Sequence, residues 1–138
     1  MTTEKLTGPE LAALVRRVFQ PGPDDRILAI IADLPDARVP DAPAWARRRQ
    51  LALEWYAALQ PEALGLGMDV RLYLYRNAHA NNADLPATAW RYDHGPLPAA
   101  AEAWEGRPTE AFSELWSGGA ILLAPTQFSA TAPLKIAA

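Results

Sequence analysis

The sequence predicts an α/β fold: a layered, mostly parallel sheet of three or more strands with helices on both faces, wound in the Rossmann or flavodoxin-like manner. Three observations carry this. Short apolar runs bounded by turn residues recur at Arg26–Ala32 and Ala120–Ala124. A third run, Asp69–Arg76, alternates Val70, Leu72 and Leu74 with Arg71, Tyr73 and Tyr75. Segments of helical period lie between them, and strands separated by helices imply right-handed βαβ crossovers.

The first helix opens at Thr7. Glu10 follows three residues later, a capping box with Pro9 in the first turn. Leu11, Leu14, Val15, Val18 and Phe19 then recur on one helical face until Pro21-Gly22-Pro23 stops it. The run Arg26-Ile27-Leu28-Ala29-Ile30-Ile31-Ala32 reads as a strand buried on both faces, as in a parallel sheet. Asp33-Leu34-Pro35-Asp36 ends it, and a proline-rich loop leads to Asp41, read as the cap of a second helix reaching Leu59. The alternation in Asp69–Arg76 suggests a strand with one face less fully covered, nearer a sheet edge. Residues Asn77 to Pro108 read as irregular, with a short helix near Ala99–Trp104. A helix is expected over Glu110–Trp116, broken by Gly118-Gly119, then the third strand.

A last helix opens near Thr131 or Pro133 and runs to Ala138. It is short against the usual ~11–12 residues, and three strands are few against the usual ~5–6. The 138 residues are therefore read as one α/β domain, the N-terminal part of a longer chain.

Composition narrows the function. Thirteen basic against sixteen acidic residues give a net charge of −3, without the basic excess that nucleic acid or an anionic membrane surface calls for. No apolar run approaches the ~20 residues of a bilayer span, and Met1–Glu10 holds no apolar signal core, so a cytoplasmic protein is expected. The bias toward Ala, Arg and Pro suggests GC-rich bacterial coding. With no cysteine there are no disulfides, thiolate metal sites or cysteine nucleophile. No GxGxxG follows the first strand and no Walker sequence is present, which disfavours dinucleotide and P-loop sites.

Ligands of open parallel sheets bind beyond the carboxyl ends of the strands. Three segments should converge there, and their candidate contacts are Asp33; Asn77, His79, Asn81, Asn82 and Asp84; and Thr126, Ser129 and Thr131. The last segment leads into a helix N-terminus, whose free N–H groups favour an anion. Each candidate has a plainer reading: Asp33 as a turn former, the Asn run as Asx turns, Ser129 or Thr131 as a cap. A triad of Ser129, His79 and Asp33 lacks the nucleophile elbow around Ser129. The spacing of His79, Asp84 and His94 fits no familiar metal motif, and no metal or cofactor is assigned to the chain. Arg47-Arg48-Arg49 reads as a solvated helix flank or an anion clamp, Trp45 and Trp55 as helix packing, and Trp90 and Trp104 as an exposed patch for a partner.

The stretch Ala120-Ile121-Leu122-Leu123-Ala124-Pro125-Thr126-Gln127-Phe128-Ser129-Ala130-Thr131-Ala132-Pro133-Leu134-Lys135 resembles a segment of the aminopeptidase T-like (thermophilic leucyl aminopeptidase) family, in which a hydrophobic strand runs into a Thr- and Ser-rich turn and then a helix with a basic residue. Gln127-Phe128 and Ala132-Pro133 depart from that pattern. The resemblance implies an N-terminal α/β domain followed by a separate metal-binding domain whose Glu, His and Asp ligands have no counterpart here. It implies a scaffolding or oligomerisation domain of a metallopeptidase-like hydrolase, its partner a missing C-terminal domain or a second copy. The alternative is a small-molecule or anion-binding module using the strand-end loops.

Overall fold

The computed structural model describes residues 7–79 and 86–125, with the Trp116 side chain outside the description. The elements run α1 (Gly8–Phe19), β1 (Ile27–Leu34), α2 (Pro43–Leu59), a 3-10 turn (Gln60–Glu62), α3 (Ala63–Leu66), β2 (Asp69–Arg76), β3 (Thr88–Arg91), a second 3-10 turn (Ala101–Trp104), β4 (Glu110–Ala111), α4 (Phe112–Ser117) and β5 (Ala120–Leu123). The expected helix near Thr131 lies outside the described residues.

Among the described residues the sheet has five strands, in the order β4-β3-β2-β1-β5. β1 pairs in parallel with β2 over eight residue pairs, Ile27↔Asp69 to Leu34↔Arg76, and with β5 over four, Ile27↔Ala120 to Ile30↔Leu123. β3 is antiparallel to β2, and β4 to β3. The sheet is therefore mixed, which corrects the mostly parallel expectation. The added strands escaped the sequence because β4 is two residues long and β3 is four, set in a Pro- and Asn-rich stretch. Two other expectations change with them. β2 lies third of five rather than at an edge, and its alternating Tyr73 and Tyr75 are buried.

All eight residues of β1 are buried, as its unbroken apolar run suggests. Alternation sends them into two clusters. Leu28, Ile30, Ala32 and Leu34 pack with Leu11, Ala12 and Val15 of α1 and Ala52 and Leu59 of α2. Ile27, Ala29 and Ile31 pack with Tyr73, Tyr75, and Phe112 and Leu115 of α4. The Thr7–Glu10 capping box closes as expected: Thr7 Oγ1 accepts the Glu10 N–H at 3.3 Å and Glu10 Oε1 accepts the Thr7 N–H at 3.0 Å.

Three side-chain roles differ from the sequence reading. Asp41 does not cap α2 at its N3 amide; it accepts a two-point ion pair from the buried Arg49, at 3.0 and 2.6 Å. Arg49 has thus left the solvated arginine flank, and its charge is held by the fork geometry that suits carboxylates. Trp90 and Trp104 are buried and meet edge to face at 6.3 Å, so they form core and no exposed patch.

The turn into β5 depends on Gly119, whose φ is 74° and whose carbonyl accepts the N–H groups of Arg26 and Ile27. A Cβ there would run into the Asp24 carbonyl oxygen. Gly67 has a similar φ of 69° but open space around it. Gly67→Ala is expected to cost about 1–2 kcal/mol, the left-handed backbone penalty alone. Gly119→Ala must also displace the Asp24 backbone, just ahead of the Arg26 and Ile27 amides that bond the Gly119 carbonyl, and should cost clearly more. Urea unfolding of both variants checks this; equal losses would refute the steric account.

Candidate functional site at the strand ends

Beyond the carboxyl ends of β1 and β2, two loops are tied together. Asn77, the residue after β2, is buried and donates through Nδ2 to the Leu34 carbonyl at 2.8 Å and to Asp36 Oδ2 at 3.2 Å. Its Oδ1 accepts the His79 N–H at 3.0 Å, an Asx turn. That turn holds His79 at φ 65°, a left-handed conformation uncommon for a residue with a side chain. The imidazole swings back to the β1 loop, with Nε2 3.0 Å from Asp36 Oδ2 and Nδ1 3.5 Å from Arg38 Nη1.

The partners assign the histidine's proton. A guanidinium has no lone pair to offer, so Nδ1 is the acceptor; the Asp36 carboxylate faces Nε2, which is therefore the donor. Neutral His79 satisfies both contacts. As arranged it is a clasp between loops rather than a general base with a free nitrogen. Asp36 Oδ1 accepts the backbone N–H groups of Arg38 at 3.0 Å and Val39 at 2.7 Å. Burial pushes the Asp36 carboxyl upward, but the bonds from His79, Val39 and Arg38 outweigh it and hold the group below its usual range.

Asp33 sits apart from this clasp in function. It is the seventh residue of β1 and almost fully buried, at 1% exposure. The buried Trp45 indole donates to its carbonyl at 2.9 Å and its carboxylate at 3.1 Å, fastening the start of α2 to the end of β1. Asp33 lies beside Tyr75 in the sheet register, and burial, followed by the negative charge of Asp33, pushes the Tyr75 hydroxyl far up so that it stays protonated. The carboxylate that reaches His79 is Asp36, not the Asp33 of the triad drawn from the sequence.

Of the sequence candidates, then, Asn77 and His79 come together, and Asp33 is a buried anchor. Asn81, Asn82, Asp84, Thr126, Ser129 and Thr131 lie outside the described residues. Sequence reasoning named Asp36 as part of the turn but missed Arg38, whose signal was a cation two residues past a strand-end aspartate. Among the described residues no group of three His, Asp or Glu side chains is placed to hold a metal ion. No helix among them is long and apolar enough to cross a membrane.

A second surface feature lies on the opposite side of β1 from β2. An apolar groove of ≈ 170 Å³ runs between α1, α2 and β5, with Val18, Phe19, Trp55 and Leu123 in its walls. Val18 and Phe19 are 60% and 41% exposed.

The Asp36 clasp has a pH signature. Because its folded carboxyl titrates below the ordinary value near 3.8, the stability it adds is fully present above about pH 4 and is lost as pH falls through the lower, folded value. Asp36→Asn should be less stable than wild type at pH 7, with the gap closing in acid. Parallel stability curves for the two proteins between pH 7 and pH 2.5 would count against the clasp.

Comparison with protein-family models, with curated proteins and with solved structures found no match to this chain.

Proposed function

We propose that this chain is a small-molecule-binding α/β module that receives an anionic group at the carboxyl ends of β1 and β2. In this reading the sheet is doubly wound, with α1 and α2 on one face and α4 on the other. The supporting observation is the cross-tied pair of loops. Asn77 and Asp36 position His79 and Arg38, both of which stay exposed at the strand ends. Arg38 uses one Nη on the imidazole and keeps further N–H donors for a carboxylate or phosphate oxygen. Pre-tied loops lose little conformational freedom when a ligand arrives.

The reading is tested by thermal melting in rising phosphate or small dicarboxylate at fixed ionic strength. A ligand that binds the native state adds RT ln(1 + [L]/Kd), about 2.7 kcal/mol at a hundred times Kd. The melting temperature should rise for wild type and for Gln50→Ala, and stay flat for Arg38→Gln. A flat wild-type response, or an equal rise in Arg38→Gln, removes the proposal.

A second reading is supported by the groove beside β5. An apolar channel along the described end of the sheet suits the scaffolding or oligomerisation role that the aminopeptidase-like resemblance implies. If a second copy fills it, the chain should show a concentration-dependent dimer by sedimentation, and Val18→Glu should shift it to monomer. A monomer at every concentration disposes of the self-association form of this reading.

A further inference from the structure

Toward the opposite edge of the sheet from β5, a small hollow of ≈ 90 Å³ opens where β2, β3 and the entry to β4 meet. Arg76, Thr88, Trp90 and Thr109 stand in its wall. The register explains why they share it. β3 is antiparallel to β2 with Leu74 opposite Trp90, so alternation puts Arg76 and Thr88 on the same face as the indole. β4 pairs with β3 at Thr88↔Ala111, which brings the preceding Thr109 alongside.

Two groups of this wall can only donate. Trp90 is 4% exposed, and its Nε1–H is a buried donor with no acceptor among the described residues. The Arg76 guanidinium lies over the same indole ring, 5.1 Å from its centroid. It gives Nη1 to Glu105 at 2.8 Å, and its fork has further donors. Thr88 and Thr109 add two hydroxyls. The neighbouring carboxylate Glu110 is engaged elsewhere, by the Tyr73 hydroxyl at 3.0 Å and by Arg91 at 3.8 Å. The wall thus carries two groups that can only donate, a guanidinium and an indole N–H, beside two hydroxyls that donate or accept, and among the described residues the hollow is lined by no carboxylate. Nearly all buried polar groups in folded proteins find a partner, so an orphaned indole beside a cation and a hollow is a specific observation.

We propose that this hollow is a binding site for a small carboxylate, received by Trp90 Nε1–H and Arg76 with Thr88 and Thr109 at its sides. The size fits: the volume equals about three waters at roughly 30 Å³ each, which acetate or propionate would fill. A planar carboxylate also matches the guanidinium fork, which can hold a second carboxylate while Nη1 keeps Glu105. The site is separate from the Arg38 and His79 clasp and does not depend on it.

The test uses the ¹⁵N-labelled full chain, with the Trp90 indole resonance assigned from Trp90→Phe. Acetate and propionate are titrated against matched chloride, with acetamide and inorganic phosphate as further arms. The Trp90 N–H should move saturably, and Arg76→Gln should weaken binding roughly tenfold or more, the loss of a charge-assisted contact. Arg38→Gln should leave the response intact, which separates this site from the strand-end reading. Trp90→Phe should fold and lose the response at the Thr88 and Thr109 amides. If it fails to fold, loss of binding in folded Arg76→Gln is still required. No saturable shift up to about 100 mM acetate, a hundredfold above a millimolar Kd, overturns the proposal. So does a cross-peak from the indole to water without any response to acetate, which would make the hollow a water site. Equal binding of acetamide, or tighter binding of phosphate, overturns the carboxylate assignment.

Discussion

β1 has no residue at the surface. Its backbone is bonded to β2 along its full length and to β5 along its first half, and its two faces feed two separate clusters of apolar side chains. A strand in that position can carry almost nothing but Ile, Leu and Ala, because every side chain leaves water. Leu28, Ile30, Ala32 and Leu34 share one cluster with residues of α1 and α2, and Ile27, Ala29 and Ile31 share the other with Phe112 and Leu115 of α4. Weakening β1 would remove the surface against which each of these elements buries its apolar residues.

The same burial explains how polar residues are handled where β1 ends. Asp33 is still inside the protein, and a carboxylate there is tolerated because it is hydrogen-bonded, with the Trp45 indole among its partners. Three residues later the chain is half in water, and Asp36 collects two backbone amides, Asn77 and His79. One aspartate anchors a helix and the other organises loops. The difference comes from depth rather than from residue type. Arg49 follows the same rule on α2, where its burial is matched by the two-point pair with Asp41.

Much of this was legible from local pattern. β2 was bounded at Asp69 and Arg76, α2 at Leu59, and the Thr7–Glu10 box was found in full, because hydrophobic period and capping chemistry are local. β3 and β4 were not legible. Two to four residues show no period, and their strand character comes from pairing with partners 16 to 23 residues away. Tyr73 and Tyr75 looked like an exposed face because tyrosine is ambiguous in sequence. Their burial follows from Phe112 and Leu115, which arrive from α4. The clasp was half legible: Asn77 and His79 stood out as strand-end polar residues, whereas Arg38 joined them through a contact 41 residues long.

The sequence by itself determined that the chain is α/β, where α1 and β2 start and stop and where α2 ends, and that β1 is buried on both sides. Each follows from interactions within a few residues or from the period of one segment. Tertiary structure alone decided that the sheet is mixed, that Asp36 rather than Asp33 meets His79, and that Trp90 and Trp104 are core with one indole N–H left over. These depend on which distant side chains share a small volume, and residue order does not encode that separately from the fold.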